Sequence, residues 1–391
     1  MSVAAEAAAD AAAETAAEPD AALVGIKVLD VAGTIATGYC GKLFADHGAD
    51  VINVEPPGGF ETRREPPFVP RVDAPENSAL HAYLNTSKSS VVLDAEANPR
   101  ELKELARGAQ VVLDDGSFEV ADFADLAPDV VVSTITWFGR TGPYAEFQGA
   151  GAVCWALAGL VRNVGPAEGP PIIAAGCGAE IVGGLTAYIG TLGQVVAREM
   201  GNASGPARLD TSILEANLCF TEVGGVGGYR SGHRGRRLGI NRFAPTYPLG
   251  VYACADGWLG VTALTPSQWK SFCTLLDMEE YADVPQYQTA IGRLYDYDVL
   301  EPVIKEQVKD RSSWELVRRG QDMRIPLAPV PTMEELFVTD QYVARDAFGE
   351  VATATGQTFK APSTPFRLFK TPGASGGRAA RLGEMNAELL T

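Results

Sequence analysis

The feature that most constrains the fold is an alternation of short apolar runs and helical segments through the first half of the chain. Gly25 to Asp30 is a strand-like run, Tyr39 to His47 reads as a helix stopped by Gly48, and Asp50 to Glu55 is a second strand. Strand–helix–strand units build parallel sheets covered by helices. The pattern continues with strands over Ser90 to Leu93, Gln110 to Leu113 and Val130 to Ile135, and a helix over Pro99 to Arg107. The class is therefore α/β. At 391 residues the chain is too long for one ordinary compact domain, so two are expected.

Glu180 to Met200 reads as a long helix carrying Gly183, Gly184, Ala187, Gly190 and Gly193. A glycine inside a helix costs about 1 kcal/mol relative to alanine, which implies that another backbone approaches closely there. Beyond it, Gly224 to Gly239 is a loop rich in glycine and arginine. Tyr247 to Tyr252 and Trp258 to Thr262 read as strands, Pro266 to Leu276 as a helix, and Gly383 to Leu390 as a closing helix. The segments are thus an acidic disordered tail (1–22), the first part of a large domain (23–225), a Gly/Arg-rich loop (226–244), a smaller α/β domain (245–335) and a return to the large domain (336–391).

A formal charge of −17 repels phosphate backbones and anionic headgroups, so nucleic acid and membrane are poor partners. No apolar run reaches the ~20 residues of a membrane-spanning helix. Met1 to about Ala22, nearly all Ala, Glu and Asp, lacks the basic start and apolar stretch of a secretory signal. Six scattered cysteines with no CxxC pair, beside three histidines, argue against a zinc site and suit a reducing cytoplasm. Neither a metal nor a bound cofactor is expected. Gly58-Gly59 after Pro56-Pro57 is no phosphate cradle, because no GxGxxG or GK[ST] accompanies it.

Against that acidic background, Arg230, Arg234, Arg236, Arg237 and Arg242, with His233 among them, stand out. Clustered guanidinium groups suit phosphate and carboxylate through charge-assisted, bidentate hydrogen bonds. The alternative is a solvated loop or an intersubunit ion-pair patch.

Several segments, in order, resemble family III CoA-transferases, the group of formyl-CoA transferase and the carnitine and benzylsuccinate CoA-transferases. They are Leu29-Asp30; Gly41 to Ile52 with Val54-Glu55-Pro56-Pro57-Gly58-Gly59; Leu84-Asn85 with Lys88-Ser89; and Phe138-Gly139-Arg140-Thr141-Gly142-Pro143-Tyr144. Tyr247 to Tyr252, Ala255-Asp256-Gly257, Ile325-Pro326 with Pro329-Val330, and Arg381-Leu382-Gly383-Glu384 continue the match. The resemblance implies a large Rossmann-like parallel-sheet domain built from both chain ends, a smaller α/β domain between, and an interlocked homo- or heterodimer with another CoA-transferase subunit. It implies a CoA thioester and a carboxylic acid as substrates, with contacts to CoA from Thr34, Leu84, Lys88, Phe138 and the arginine loop.

The resemblance also implies a carboxylate nucleophile passing through anhydride and thioester intermediates. The family's nucleophile is an aspartate at the start of a helix; the matching residue here is Glu180, in Gly178-Ala179-Glu180-Ile181-Val182-Gly183-Gly184. Without the resemblance, Glu180 reads as an acid that complements the helix dipole near an N-terminus. Other positions depart as well. Asp114-Asp115-Gly116 stands where the family has Glu-Asn-Phe, Gly149-Ala150-Gly151 where it has Gly-Tyr-Asp, and an arginine is missing near Ala121 to Asp125. Racemisation, which needs a histidine and an aspartate in that region, is disfavoured. The departures leave open a non-catalytic subunit of a heterodimeric enzyme, and more distantly a CoA-thioester lyase or isomerase. Trp137 reads as a packing residue that could also narrow a pocket, and Cys177 as a small buried apolar residue.

Overall fold

Six parallel strands organise the first part of the molecule: β1 (Lys27–Asp30), β2 (Asp50–Glu55), β3 (Ser89–Val92), β4 (Val111–Asp114), β5 (Val131–Thr136) and β6 (Ala207–Ser212). Their order is β3-β2-β1-β4-β5-β6. Leu29 pairs with Ile52 on one side and Val112 on the other, and Ser133 pairs with Leu209. All four residues of β4 and five of the six in β5 are buried. Near-continuous apolar strands of this kind belong to sheets covered on both faces. Strand β6 was not expected, since Ala-Arg-Leu-Asp-Thr-Ser is too polar for an inner strand and here forms the sheet's edge.

This computed structural model describes residues 21–95, 97–221, 237–374 and 376–390. Most of the expected acidic tail, and Arg230, His233, Arg234 and Arg236 of the arginine loop, lie outside the described residues. The chain divides into two compact units. The first comprises residues up to Cys154, Gly176–Cys219 and Asp340 onward; the second comprises Trp155–Ala175 and Phe220–Thr339. Trp155–Ala175, read in sequence as part of the large domain, thus clusters with the second unit.

In the first unit, helix α1 (Ile35–Asp46) follows β1. It begins four residues before the sequence reading because Thr34 and Thr37 form a reciprocal capping box. The helices α2 (Ala79–Leu84) and α3 (Pro99–Leu105) follow, then α4 (Gly151–Leu157) and the long α5 (Gly178–Glu199). Of the glycines in α5, Gly184 alone meets the backbone that their cost implied. A Cβ on Gly184 would lie 2.4 Å from the Ala36 carbonyl oxygen of α1, a true backbone approach. Gly183 and Gly190 instead admit the side chains of Ile213 and Leu209, and Gly193 has open space.

A small sheet of β10 (Phe348–Ala352), β11 (Thr358–Pro362) and β12 (Gly376–Arg378) also belongs to the first unit. The chain then runs beside β3. Met385 N–H donates to the Ser90 carbonyl, Gly383 N–H to the Ser90 hydroxyl, and Val92 N–H to the Asn386 side chain. The expected closing helix shrinks to Asn386–Leu389, because Gly383, Met385 and Asn386 are engaged with this edge and Leu382 N–H donates to Glu76.

Charges are buried near the carboxyl ends of the central strands. Arg63 forks onto both oxygens of Glu55 at 2.7 Å and also bonds Glu76. Lys88 is 5% exposed, and its ammonium donates to the Gly38 carbonyl and to Asn85. Desolvation pulls Lys88 down to about 8, against an opposing pull from Asp30. Between that value and lysine's ordinary 10.5 the unfolded chain holds a proton that the folded chain has released, so unfolding becomes harder as pH rises through this window. Denaturant titrations of wild type and Lys88→Met between pH 7 and 10 should show that rise in the wild type alone. Parallel curves would remove the assignment.

The second unit is built on the antiparallel sheet β7 (Leu249–Cys254), β8 (Gly257–Thr262) and β9 (Leu327–Pro329). Its core holds Trp269, Phe272, Leu300 and Ile304. At the centre lies Arg293, with no solvent exposure. It donates to the carbonyls of Tyr247, Tyr287, Ala263 and Leu264 at 2.6–3.1 Å, with its guanidinium over the Trp269 ring.

Candidate active site

Strand order reverses between β1 and β4, and in open parallel sheets ligands bind outside the carboxyl ends of strands at such a switch point. Asp30 and Asp114 end those two strands. Asp30 is wholly buried; its Oδ1 accepts from the Ala32 and Gly33 amides while Oδ2 has no partner. Burial pushes the Asp30 carboxyl upward, as it does that of Asp114. Asp114 receives the amides of Gly116, Ser117 and Phe118, fixing the turn after β4.

Glu180 sits in the first turn of α5. One turn further on, Gly184 meets Ala36 just beyond β1, and Gly183 meets Ile213 just beyond β6. The start of α5 therefore stands on the carboxyl-end side of the sheet. Glu180 is half-buried, and its Oε2 is inaccessible and without a hydrogen-bond partner. Desolvation raises its carboxyl above the ordinary carboxylate range, opposed only by its own backbone N–H. A buried, unpartnered carboxylate oxygen is costly to maintain, and groups of this kind concentrate where chemistry is done.

Two neighbours of Glu180 were not linked to it in the sequence because they are far from it along the chain. Gly151 opens α4, and a Cβ placed on it would lie 3.1 Å from Glu180 Oε2 and 3.4 Å from Oε1. Cys154, one turn further along α4, is buried; desolvation, with a smaller push from Glu180, raises its thiol to about 11. Cys177, expected to be buried, is half-exposed at the N-cap of α5 and makes no side-chain cap bond. Its thiol is also raised, by desolvation first and by Glu180 second, so neither cysteine is a thiolate nucleophile near neutral pH. Trp137 packs over Gly149, whose Cβ would fall within the ring.

The residues carried over as CoA contacts have defined places. Thr34 caps α1 and is half-buried; Leu84 has no exposure; Lys88 is committed internally as described above. Phe138, 8% exposed, lies edge-on to Tyr144 and Phe147, which stack on each other at 4.7 Å and are themselves exposed. Within the second unit, Arg237 donates to the carbonyls of Arg162, Pro166 and Gly169. Arg242 pairs with Glu301 and lies on the Tyr297 ring. The guanidinium groups of these two arginines are thus occupied by protein. Among the described residues, no cluster of His, Cys, Asp or Glu could hold a metal ion, and no helix is long and apolar enough to cross a membrane.

Residues 23–386 match the model of CoA-transferase family III. The chain belongs to that family. Curated relatives of this family III chain include the succinate–glutarate CoA-transferase of Agrobacterium fabrum, 28% identical with 94% of each chain covered. The succinyl-CoA:glutarate CoA-transferase of Homo sapiens is 24% identical, covering 94% of this chain and 85% of the relative. The succinyl-CoA:(R)-benzylsuccinate CoA-transferase subunit BbsE of Thauera aromatica is 26% identical over 93% and 92%. A solved structure of a CaiB/BaiF family protein from Brucella suis superposes with a TM-score of 0.81 at 24% identity, covering 94% of this chain and 98% of that one. That likeness places the family III chain in the CaiB/BaiF fold.

Proposed function

We propose that this chain moves CoA from an acyl-CoA thioester to a free dicarboxylic acid, with Glu180 as the nucleophile. The observation that carries the reading is the half-buried, desolvated Glu180 carboxylate with an unpartnered oxygen on the carboxyl-end side of the sheet. A carboxylate oxygen attacks the thioester carbonyl, the C–S bond breaks, and CoA thiolate leaves a mixed anhydride. The thiolate attacks the glutamyl carbonyl of that anhydride, releasing the donor acid and leaving a glutamyl-CoA thioester. The acceptor carboxylate attacks this thioester and expels thiolate again, and thiolate attack on the acceptor's acyl carbon yields new acyl-CoA and free Glu180. Partial desolvation strengthens the nucleophile, since water no longer hydrogen-bonds the attacking oxygen.

Succinyl-CoA is the donor favoured by the names of the relatives, which pair succinyl groups with glutarate and, in Haloarcula hispanica, mesaconate. Thr34, Leu84, Lys88 and Phe138 frame the CoA side in this reading, with Leu84 and Lys88 acting from within the packing. Arg230, Arg234 and Arg236 supply the phosphate contacts; Arg237, bonded to three carbonyls, holds its own segment instead. The reading includes a cytoplasmic location and an interlocked dimer. The exposed apolar residues Leu185, Ile189, Val196 and Met200 along α5 support a subunit contact.

A second reading, a subunit that carries no chemistry of its own, is favoured by the altered positions around Glu180 and by the likeness to a benzylsuccinate CoA-transferase subunit. Purified alone and given succinyl-CoA with glutarate, the chain should turn over and be inactivated by hydroxylamine only when donor is present. Turnover that appears only on co-expression with an Asp-bearing homologue would establish the second reading instead.

A further inference from the structure

The geometry points to Gly151 as a positioning residue for the transfer reaction: the missing side chain at the start of α4 is the space that the longer carboxylate arm of Glu180 occupies. This inference rests on the reading of Glu180 as nucleophile.

Nothing in the backbone requires glycine at 151. Its φ lies outside the left-handed region, so the conformation is open to any residue. It opens a helix, where alanine is intrinsically favoured over glycine. The reason for glycine must therefore lie in what surrounds it. The three heavy atoms nearest a built Cβ all belong to the Glu180 carboxylate: Oε2 at 3.1 Å, Oε1 at 3.4 Å and Cδ at 3.6 Å. The first distance is well inside ordinary van der Waals contact. The atoms met are the end of the Glu180 side chain, so room for a Cβ is made by moving the carboxylate itself a few tenths of an ångström.

Gly149 supplies the contrast two residues earlier, since its space is taken by Trp137. Each glycine flanking Ala150 thus vacates room for one particular side chain. One serves packing and the other serves the carboxylate. A methyl group at 151 would push the attacking oxygens aside by tenths of an ångström, and attack on the face of a thioester carbonyl depends on the position of the attacking oxygen. An aspartate at 180, shorter by one methylene, would withdraw from the contact. The two positions should therefore be energetically coupled.

The test is a double-variant cycle with succinyl-CoA and glutarate as probes. Gly151→Ala should lower kcat roughly ten-fold or more while leaving KM for succinyl-CoA within about two-fold, because the binding surface is untouched. In the Glu180→Asp background the same change should alter kcat by less than about two-fold. Equal losses in both backgrounds, or wild-type kcat in Gly151→Ala, overturn the inference. A readout independent of turnover is the pH dependence of Glu180 labelling by a water-soluble carbodiimide. Its midpoint should move upward in Gly151→Ala, since the methyl group excludes more water, and an unmoved midpoint counts against the contact. If Gly151→Ala fails to fold, the double variant decides: recovery of folding and turnover supports the clash, and failure there as well overturns it. Wild-type turnover in Glu180→Ala removes the nucleophile and this inference together. An inactive Glu180→Ala beside a fully active Gly151→Ala removes the positioning role alone.

Discussion

In the proposed mechanism Glu180→Ala should reduce CoA transfer by at least about 10³-fold, because it removes the carboxylate that carries the covalent intermediate. Cys154 and Cys177 are held as thiols by desolvation and by Glu180 itself. Glu180→Asp keeps the chemistry but retracts the carboxylate away from Gly151, and a loss on the order of 100-fold is expected. Borohydride should reduce the adduct at residue 180 in wild type and in the Asp variant, and not in the Ala variant. The acid limb of kcat should lie above the ordinary carboxylate range. Glu180 must be ionised to attack, its carboxyl is raised by desolvation, and activity is therefore lost at a higher pH than for an exposed glutamate. An Ala variant with wild-type turnover and no labelled adduct in the parent would exclude the mechanism.

Arg293→Ala should be the most damaging single substitution in the second unit. The side chain is fully buried, and among the described residues no carboxylate pairs with it; four carbonyls stand in for a counter-ion. Desolvation lowers it to about 10, which measures how poorly carbonyl dipoles replace water. Truncation would leave four buried acceptors without donors and a cavity beside Trp269, a loss of roughly 3–5 kcal/mol. Arg293→Lys keeps the charge but cannot reach four acceptors arranged around a planar fork, so it should recover only part of that. Equilibrium unfolding in urea checks both variants, and an unchanged midpoint for Arg293→Ala would refute the role.

The parallel sheet was legible because strands buried on both faces leave apolar runs such as Val28-Leu29 and Val111-Val112-Leu113, which no loop would carry. Strand β6 was not, since an edge strand tolerates Arg208 and Asp210 and so loses the signal. Glu180 could be found only through the family resemblance; by itself it is an acid near a helix start, a common and bland arrangement. Gly151 was marked only as a departure from the family's Gly-Tyr-Asp and Cys154 not at all, because about 30 residues separate them from the carboxylate they flank. The arginine loop shows where composition stops. Charge density marked Arg237 as an anion ligand, but composition does not reveal that Arg162, Pro166 and Gly169 offer their carbonyls to it.

The way residues 383 to 386 cover the edge at β3 bears on how the protein is made. Val92 and Ser90 leave the ribosome nearly 300 residues before the Asn386 and Gly383 groups that bond them. The whole of 220–339 is synthesised in between, on the order of ten seconds at about 5–20 residues per second. During that interval the first unit has an open strand, while the second, continuous from Phe220 to Thr339 apart from one earlier segment, can already close on its own core. Nascent chains stalled before residue 376 should therefore expose the β3 edge to chaperones, and synthesis of the following stretch is what withdraws it.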